Sequence, residues 1–225
     1  MEKLINRDAY LNRLIDKKEN GLIKVITGIR RCGKSYLLFY LFRDYLIESG
    51  IKEEQIISIA LDDDTCEQYR NPAELSKYIR SKIVNKEMYY ILIDEVQYAI
   101  TKQELENPEE IKLYNVLNGL MRLRNVDIYV TGSNSKLLSQ DVMTAFRGDQ
   151  VQVFPLSFKE YYDFVGGDKS EAYEDYALYG GMPQLISFKR DEEKVMYLKN
   201  LFSEVYFKDI SERYVVKLPD VLTEL

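Results

Sequence analysis

The sequence predicts an α/β fold, a parallel β-sheet wrapped by helices on both faces and followed by a smaller part that is wholly helical. Three observations lead there. Short apolar runs alternate with stretches whose apolar residues recur at helical spacing, the βαβ signature of a parallel sheet. A glycine-rich loop, Gly28 to Ser35, joins the first apolar run to a helical pattern that starts at Lys34. Strand signals stop after Pro155, and the remainder reads as helix, which places a domain boundary there.

Taken in order, Asp8 to Lys18 carries Tyr10, Leu11, Leu14 and Ile15 on one face and predicts the first helix. Strands are expected at Leu22 to Thr27, Ile56 to Leu61, Met88 to Ile93, Val126 to Thr131 and Val151 to Phe154. The stripe Leu37, Leu38, Leu41, Phe42 and Tyr45 predicts the helix after the loop, ending at Gly50, a natural C-cap residue. Asn71-Pro72-x-Glu74 and Asn107-Pro108-x-Glu110 each set a cap residue before a proline at the first helical position, so each is read as a helix start. Thr101 to Glu106 is a polar loop. Ser157-x-x-Glu160 is a capping box, with Leu156 and Tyr161 spaced as its hydrophobic staple. Val195, Leu198, Phe202, Val205 and Tyr206 predict one long amphipathic helix, and the unfinished apolar pattern after Pro219 points to a longer parent protein.

The loop reads GIRRCGKS, a G-x-x-x-x-G-K-S pattern between a strand and a helix. Glycines at both ends let the backbone curl around a polyphosphate, so that successive N–H groups and the helix N-terminus face the anion. Lys34 adds a positive charge for the β- and γ-phosphates, and Ser35 a hydroxyl for Mg²⁺. The matching half is the run Met88 to Ile93 followed by Asp94-Glu95. A carboxylate pair at the end of a buried parallel strand emerges at the sheet edge where open α/β sheets bind ligands. Asp94 is read as holding Mg²⁺, directly or through water, and Glu95 as the general base toward the attacking water.

Composition narrows the chemistry. The 225 residues are 46% hydrophobic, enough for one α/β domain and an appendage. There is no histidine, which excludes His-based triads and His-containing metal sites and leaves carboxylate, lysine, serine and arginine. The two cysteines, Cys32 and Cys66, lack C-x-x-C spacing, and nothing near Met1 resembles a signal peptide, so a cytoplasmic protein is expected. No apolar run approaches the roughly 18 residues of a membrane helix. A net charge of −6 argues against whole-surface attraction to nucleic acid, leaving only a local basic patch as a route to it.

Two further positions stand near the site. Thr131-Gly132-Ser133-Asn134 follows the fourth strand and is either a γ-phosphate sensor or an ordinary turn. Arg147 precedes the last strand and is either an arginine finger offered to a neighbouring subunit or a surface charge. Arg30 and Arg31 either help hold phosphate or pair with the Asp62 to Asp64 run. The nineteen tyrosines are assigned to packing.

GIRRCGKS followed by Tyr36-Leu37-Leu38, the strand ending Ile93-Asp94-Glu95-Val96-Gln97, Thr131-Gly132-Ser133-Asn134-Ser135, Pro155-Leu156-Ser157-Phe158-x-Glu160 and Gly180-Gly181-Met182-Pro183 occur in that order. Together they resemble the predicted AAA+ superfamily ATPases of bacteria and archaea, in which an ATPase core precedes a C-terminal domain of unknown function. The similarity spans nearly all of the chain. It implies a P-loop NTPase sheet in the order 5-1-4-3-2 within residues 1–155, a helical lid over 156–208 and the start of a winged-helix-like segment over 209–225. It also implies a Walker A nucleotide site of Gly28, Ile29, Arg30, Arg31, Cys32, Gly33, Lys34, Ser35 and Tyr36, a Walker B pair Asp94 and Glu95, and a sensor at Ser133 or Asn134. The Gly-Gly-Met-Pro stretch resembles a G-x-P lid motif, which implies that Pro183 approaches the nucleotide. One departure concerns Arg147: relatives usually carry a Gly-Arg pair before the last strand, where this chain reads Arg147-Gly148-Asp149.

The resulting expectation is a Mg²⁺-dependent ATPase that couples nucleotide state to movement of the lid and a C-terminal domain, with Glu95, Lys34, Asn134 and Arg147 in catalysis and Ser35 and Asp94 at the metal. ATP or ADP is the expected ligand, with a homo-oligomer or an unidentified protein as partner. A switch that binds ATP or ADP without hydrolysing it is the alternative. Glu95 beside Asp94 disfavours a small-molecule kinase, and the lack of an N-K-x-D signature disfavours a GTPase, since Asn85-Lys86-Glu87-Met88 has no aspartate.

Overall fold

A computed structural model describes residues 4–101, 103–104, 107, 110–132 and 148–206. Its centre is a five-stranded sheet of β1 (Ile23–Thr27), β2 (Ile56–Ala60), β3 (Tyr89–Asp94), β4 (Val126–Gly132) and β5 (Gly148–Gln152). All four pairings are parallel and the order is β2-β3-β4-β1-β5, the expected 5-1-4-3-2 sheet read from its other edge. Helix α1 (Asp8–Asp16) precedes β1. Helix α2 starts as Lys34–Tyr36, widens into π geometry over Leu37–Phe42 and returns to α geometry over Arg43–Glu48. Helices α3 (Pro72–Lys82) and α4 (Lys112–Leu120) complete this part.

Contacts divide the chain into two compact units. One comprises Arg7–Ile29 and Gly33–Val153 and carries the sheet; the other takes in Arg30–Cys32 and the described chain from Phe154 on.

In the sheet unit, β1, β3 and β4 are buried along their whole length, as expected of central parallel strands. Alternate residues split between two cores. Ile23, Val25, Ile57, Ile59, Ile91, Ile93, Ile128 and Val130 pack with Leu75, Ile79, Leu113 and Leu117 of α3 and α4. The opposite face carries Lys24, Ile26, Tyr90, Leu92, Asp127 and Tyr129, and the Phe42 ring of α2 lies 4.5 Å from that of Tyr129. Lys24 and Asp127 form an ion pair there with almost no exposure. Lys24 also donates to the Leu22 carbonyl at 3.0 Å, while Asp127 accepts from the Tyr129 hydroxyl and the Glu19 amide, each at 2.8 Å. Every polar group of the pair is therefore occupied, the condition under which a buried charge is tolerable.

Two boundaries differ from expectation. β5 begins at Gly148 rather than Val151, because this edge strand is held by polar contacts that hydrophobic patterning cannot register. Asp149 pairs with Lys17, and the Gln150 amide donates to the Thr27 hydroxyl at 2.9 Å. Asn71 caps α3 as expected, accepting from the Ala73 amide at 2.9 Å. After the second Asn-Pro signal, Glu110 is in 3₁₀ geometry with its amide donating to the Asn107 carbonyl at 2.9 Å, and α4 itself begins at Lys112, whose amide donates to Glu104 at 3.2 Å, so a distant carboxylate supplies the terminal acceptor. Pro108 lies outside the described residues.

The helical unit holds α5 (Phe158–Val165), α6 (Lys169–Tyr179) and α7 (Asp191–Asn200), which continues in π geometry over Leu201–Tyr206. Both halves of the Ser157/Glu160 capping box form, and Leu156 and Tyr161 are buried in one cluster as the staple requires. The Gly-Gly-Met-Pro stretch has a structural use: α6 ends at Gly180 with φ 80°, and the Gly181 carbonyl accepts from the Leu156 amide at 2.7 Å. A Cβ on Gly181 would stand 2.0 Å from the Leu156 carbonyl oxygen. The expected apolar stripe of α7 is met at Leu198 and missed at Val195 and Phe202. Lys194, Leu198 and Leu201 face inward while Val195, Met196 and Phe202 are exposed, because Lys194 packs its stem and pairs its ammonium with Asp175. The winged-helix-like segment expected over 209–225 lies outside the described residues.

Asp127→Ala leaves Lys24 buried without its counter-ion and should cost about 3–5 kcal/mol in urea unfolding. Lys24→Met combined with Asp127→Leu should recover most of that, and an equal loss in both proteins would show that the unpaired charge is not the cause. Gly181→Ala should lower stability by about 1–3 kcal/mol through overpacking. An unchanged denaturation midpoint would refute the close approach to Leu156.

Candidate functional site

The register of the central strands sets where the site forms. β3 pairs with β4 as far as Ile93 with Val130, and β4 pairs with β1 as far as Gly132 with Thr27. Asp94, Thr131 and the start of the glycine-rich loop therefore leave the sheet side by side at its C-terminal edge, where ligands bind in open α/β sheets. They lie on the face covered by α2, whose first residue is Lys34.

The loop is tightly curled. Gly33 has φ 98°, which suits glycine, and Arg31 has φ 63°, an uncommon value for a residue with a side chain. Lys34 is buried, and its ammonium donates to the carbonyls of Gly28 and Ile29, each at 3.1 Å, so the lysine spans the loop from inside. Ile29, Arg30 and Arg31 are exposed, Tyr36 is half-buried, and the Cys32 side chain is fully buried. Cys32 thus offers a ligand only its backbone. The Asp62 to Asp64 run is bound locally: Asp63 accepts from the amide and hydroxyl of Thr65, and Arg70 donates to the carbonyls of Leu61 and Asp62.

Asp94 closes β3 and is 3% exposed. Burial pushes its carboxyl above the usual carboxylate range, hydrogen bonds from the Ser35 and Thr131 hydroxyls act the other way, and the charges of Glu95 and Asp62 push it further up. A buried acid of that kind is a poor resident on its own and a good one beside a cation. Ser35 and Asp94, expected at a metal on sequence grounds, are in hydrogen-bond contact. Among the described residues no group of three or more His, Cys, Asp or Glu side chains is placed to hold a metal. The donor set fits a Mg²⁺ that takes its other ligands from phosphate oxygens and water, the usual habit of that ion.

Glu95 follows in the left-handed region, φ 53° and ψ 52°. Its amide donates to the Thr131 hydroxyl at 3.0 Å, and its carboxylate accepts from the Gln97 side-chain amide. Sequence reasoning placed Thr131 in a sensor-or-turn element and Gln97 only in the motif order, and assigned neither as a partner of the Asp94-Glu95 turn. For Thr131 the signal was a hydroxyl at the C-terminal end of the strand run Val126 to Thr131. Ser133, Asn134 and Arg147 lie outside the described residues. Pro183 opens a 3₁₀ turn, Pro183–Ser187, in the helical unit.

Residues 20–162 match the family model described as an AAA domain. An uncharacterized protein of Haemophilus influenzae is 32% identical over 228 residues, covering 97% of this chain and 54% of the relative. One of Methanocaldococcus jannaschii is 29% identical over 233 residues, covering 96% and 46%. The chain spans about half the length of the curated relatives it matches. Among solved structures, AMPPCP-bound DnaA from Aquifex aeolicus is similar with a TM-score of 0.51 and 18% identity, covering 96% of this chain and 69% of that one. That likeness is one of fold. No helix among the described residues is long and apolar enough to cross a membrane.

Lys34→Ala removes the one ammonium inside the loop. It should abolish the thermal stabilisation given by Mg-ATP, which for the unmodified chain should be about 2–3 kcal/mol at a ligand concentration near ~100 Kd. A melting shift equal to that of the unmodified protein would refute the phosphate-loop reading.

Proposed function

The chain belongs to the AAA domain family of the AAA+ superfamily, and on that premise we propose that it binds Mg-ATP at Gly28 to Ser35 and hydrolyses it, coupling nucleotide state to movement of the helical part and a C-terminal domain. The observation that carries this reading is the convergence of Lys34, Ser35, Asp94 and Glu95, from two distant stretches of sequence, on one edge of the sheet.

Each residue has a role that its surroundings support. Lys34 exchanges the carbonyls of Gly28 and Ile29 for β- and γ-phosphate oxygens, and the amides of the loop and of the α2 N-terminus supply the remaining donors. The Ser35 hydroxyl and the Asp94 carboxylate hold the metal. Mg²⁺, when bound, neutralises phosphate charge and aligns the reacting oxygens. Glu95 accepts the proton of the attacking water, and its left-handed backbone turns the side chain out of the line of β3. Asn134 as the γ-phosphate sensor and Arg147 as a finger toward a second subunit complete the proposal, with a homo-oligomer as the natural assembly.

One observation favours a second reading, an ATP or ADP switch without turnover. The Glu95 carboxylate is engaged by Gln97, and a base held in that way would not reach water.

Glu95→Gln should keep Mg-ATP binding and lose at least about a hundredfold in hydrolysis, whereas Asp94→Asn should weaken the magnesium-dependent part of binding. Single-turnover hydrolysis followed across protein concentration is the test. Equal turnover in Glu95→Gln and the unmodified chain would move the base elsewhere. Tight binding with no turnover at any concentration would favour the switch, and activity per subunit that stays flat with concentration would remove the finger in trans.

A further inference from the structure

Glu95 is a residue of the site with left-handed backbone, as Arg31 is. A side-chain-bearing residue in the left-handed region persists only where its surroundings hold it there. Its amide could otherwise turn toward water at the sheet edge. Thr131 supplies the restraint: its hydroxyl is buried, accepts from the Glu95 amide at 3.0 Å and donates to the Asp94 carboxylate. A hydroxyl can donate one hydrogen bond while accepting others, and this one uses both capacities on consecutive residues of the same turn. The threonine is itself fixed, since β4 lies between β3 and β1 and Thr131 pairs in register with Ile26.

We propose that Thr131 is a positioning residue, whose single hydroxyl locks the Asp94-Glu95 turn so that the carboxylate of one and the backbone of the other keep a fixed relation. The inference rests on the hydrolytic reading above for its consequence in catalysis, and on the two hydrogen bonds of Thr131 alone for the lock itself. Phosphoryl transfer to water needs the base within hydrogen-bond reach of a water that lies in line with the leaving oxygen. A turn free to leave the left-handed region would carry the Glu95 carboxylate away from that water without touching Lys34 or Ser35. Loss of the hydroxyl should therefore fall on turnover and spare nucleotide affinity.

Thr131→Val keeps the branched shape and deletes the hydroxyl; Thr131→Ser keeps the hydroxyl and deletes a methyl. Two measurements separate the lock from its consequence. In the nucleotide-free protein, amide hydrogen exchange at Glu95 should quicken about tenfold in Thr131→Val, the factor that a hydrogen bond of ordinary net strength sustains, and stay near the unmodified rate in Thr131→Ser. With saturating Mg-ATP, kcat should fall roughly tenfold to a hundredfold in Thr131→Val, with KM and the ATP-induced melting shift within about twofold, and Thr131→Ser should restore it. Unchanged exchange at Glu95 in Thr131→Val overturns the lock. Equal losses of kcat in Val and Ser, or a loss that follows KM, overturn the positioning role and leave Thr131 as packing. If the unmodified chain binds Mg-ATP and never turns it over while Glu95 still exchanges faster in Thr131→Val, the hydrolytic reading fails and the lock stands.

Discussion

The parallel register of β3, β4 and β1 is the constraint on which the site depends. Because Ile93 pairs with Val130 and Thr27 with Gly132, the three strands stop almost level, and the residues at their C-terminal ends are delivered to the same edge. A slip of one residue would turn Asp94 and Thr131 to the other face of the sheet, away from α2 and Ser35. The site is thus a property of strand pairing before it is a property of any side chain. Mostly apolar runs hold that pairing, together with the Lys24–Asp127 ion pair, since both faces of β1, β3 and β4 are buried.

The same face of the sheet carries charge at both ends. Near the N-terminal edge lie Lys24 and Asp127, mutually paired and fully hydrogen-bonded. At the C-terminal edge lies Asp94, equally buried and with its carboxyl pushed up by that burial. The contrast has a physical meaning. The Lys24 and Asp127 pair contains its own counter-ion and has no need of a ligand. Among the described residues the hydroxyls of Ser35 and Thr131 hydrogen-bond to Asp94, and two further carboxylates, Glu95 and Asp62, act to discourage its ionisation. An imbalance of that kind at a buried carboxyl is one that a nearby cation relieves. Arg31 and Glu95 each carry left-handed backbone, which is uncommon for a residue with a side chain.

Local chemistry was readable from sequence wherever a feature is built from neighbouring residues. The Asn71 cap and the Ser157 capping box with its staple both depend on spacings of a few residues, and both formed as expected. The central strands were legible for the same reason, since burial on both faces writes a mostly apolar run, unbroken from Tyr89 to Ile93 and interrupted in β1 and β4 by Lys24 and Asp127, which pair with each other. β5 was mislocated because an edge strand needs no such run. The α7 face was only partly legible because lysine is counted as polar although four of its carbons are not.

By itself the sequence determined the central strands and the helices beside them, the glycine-rich turn between β1 and α2, and the place of the carboxylate pair at the end of β3, because periodicity and short motifs are properties of adjacent residues. Tertiary structure alone decided which groups meet. Thr131 lies 37 residues from Asp94, yet its hydroxyl ties Asp94 to the Glu95 amide. Asp127 lies 103 residues from Lys24 and neutralises it. Ser35 reaches Asp94 only because α2 packs on the face to which both belong. Such pairings are fixed by strand register and helix packing, which sum many weak apolar contacts across the whole unit, and no local spacing in the chain encodes them.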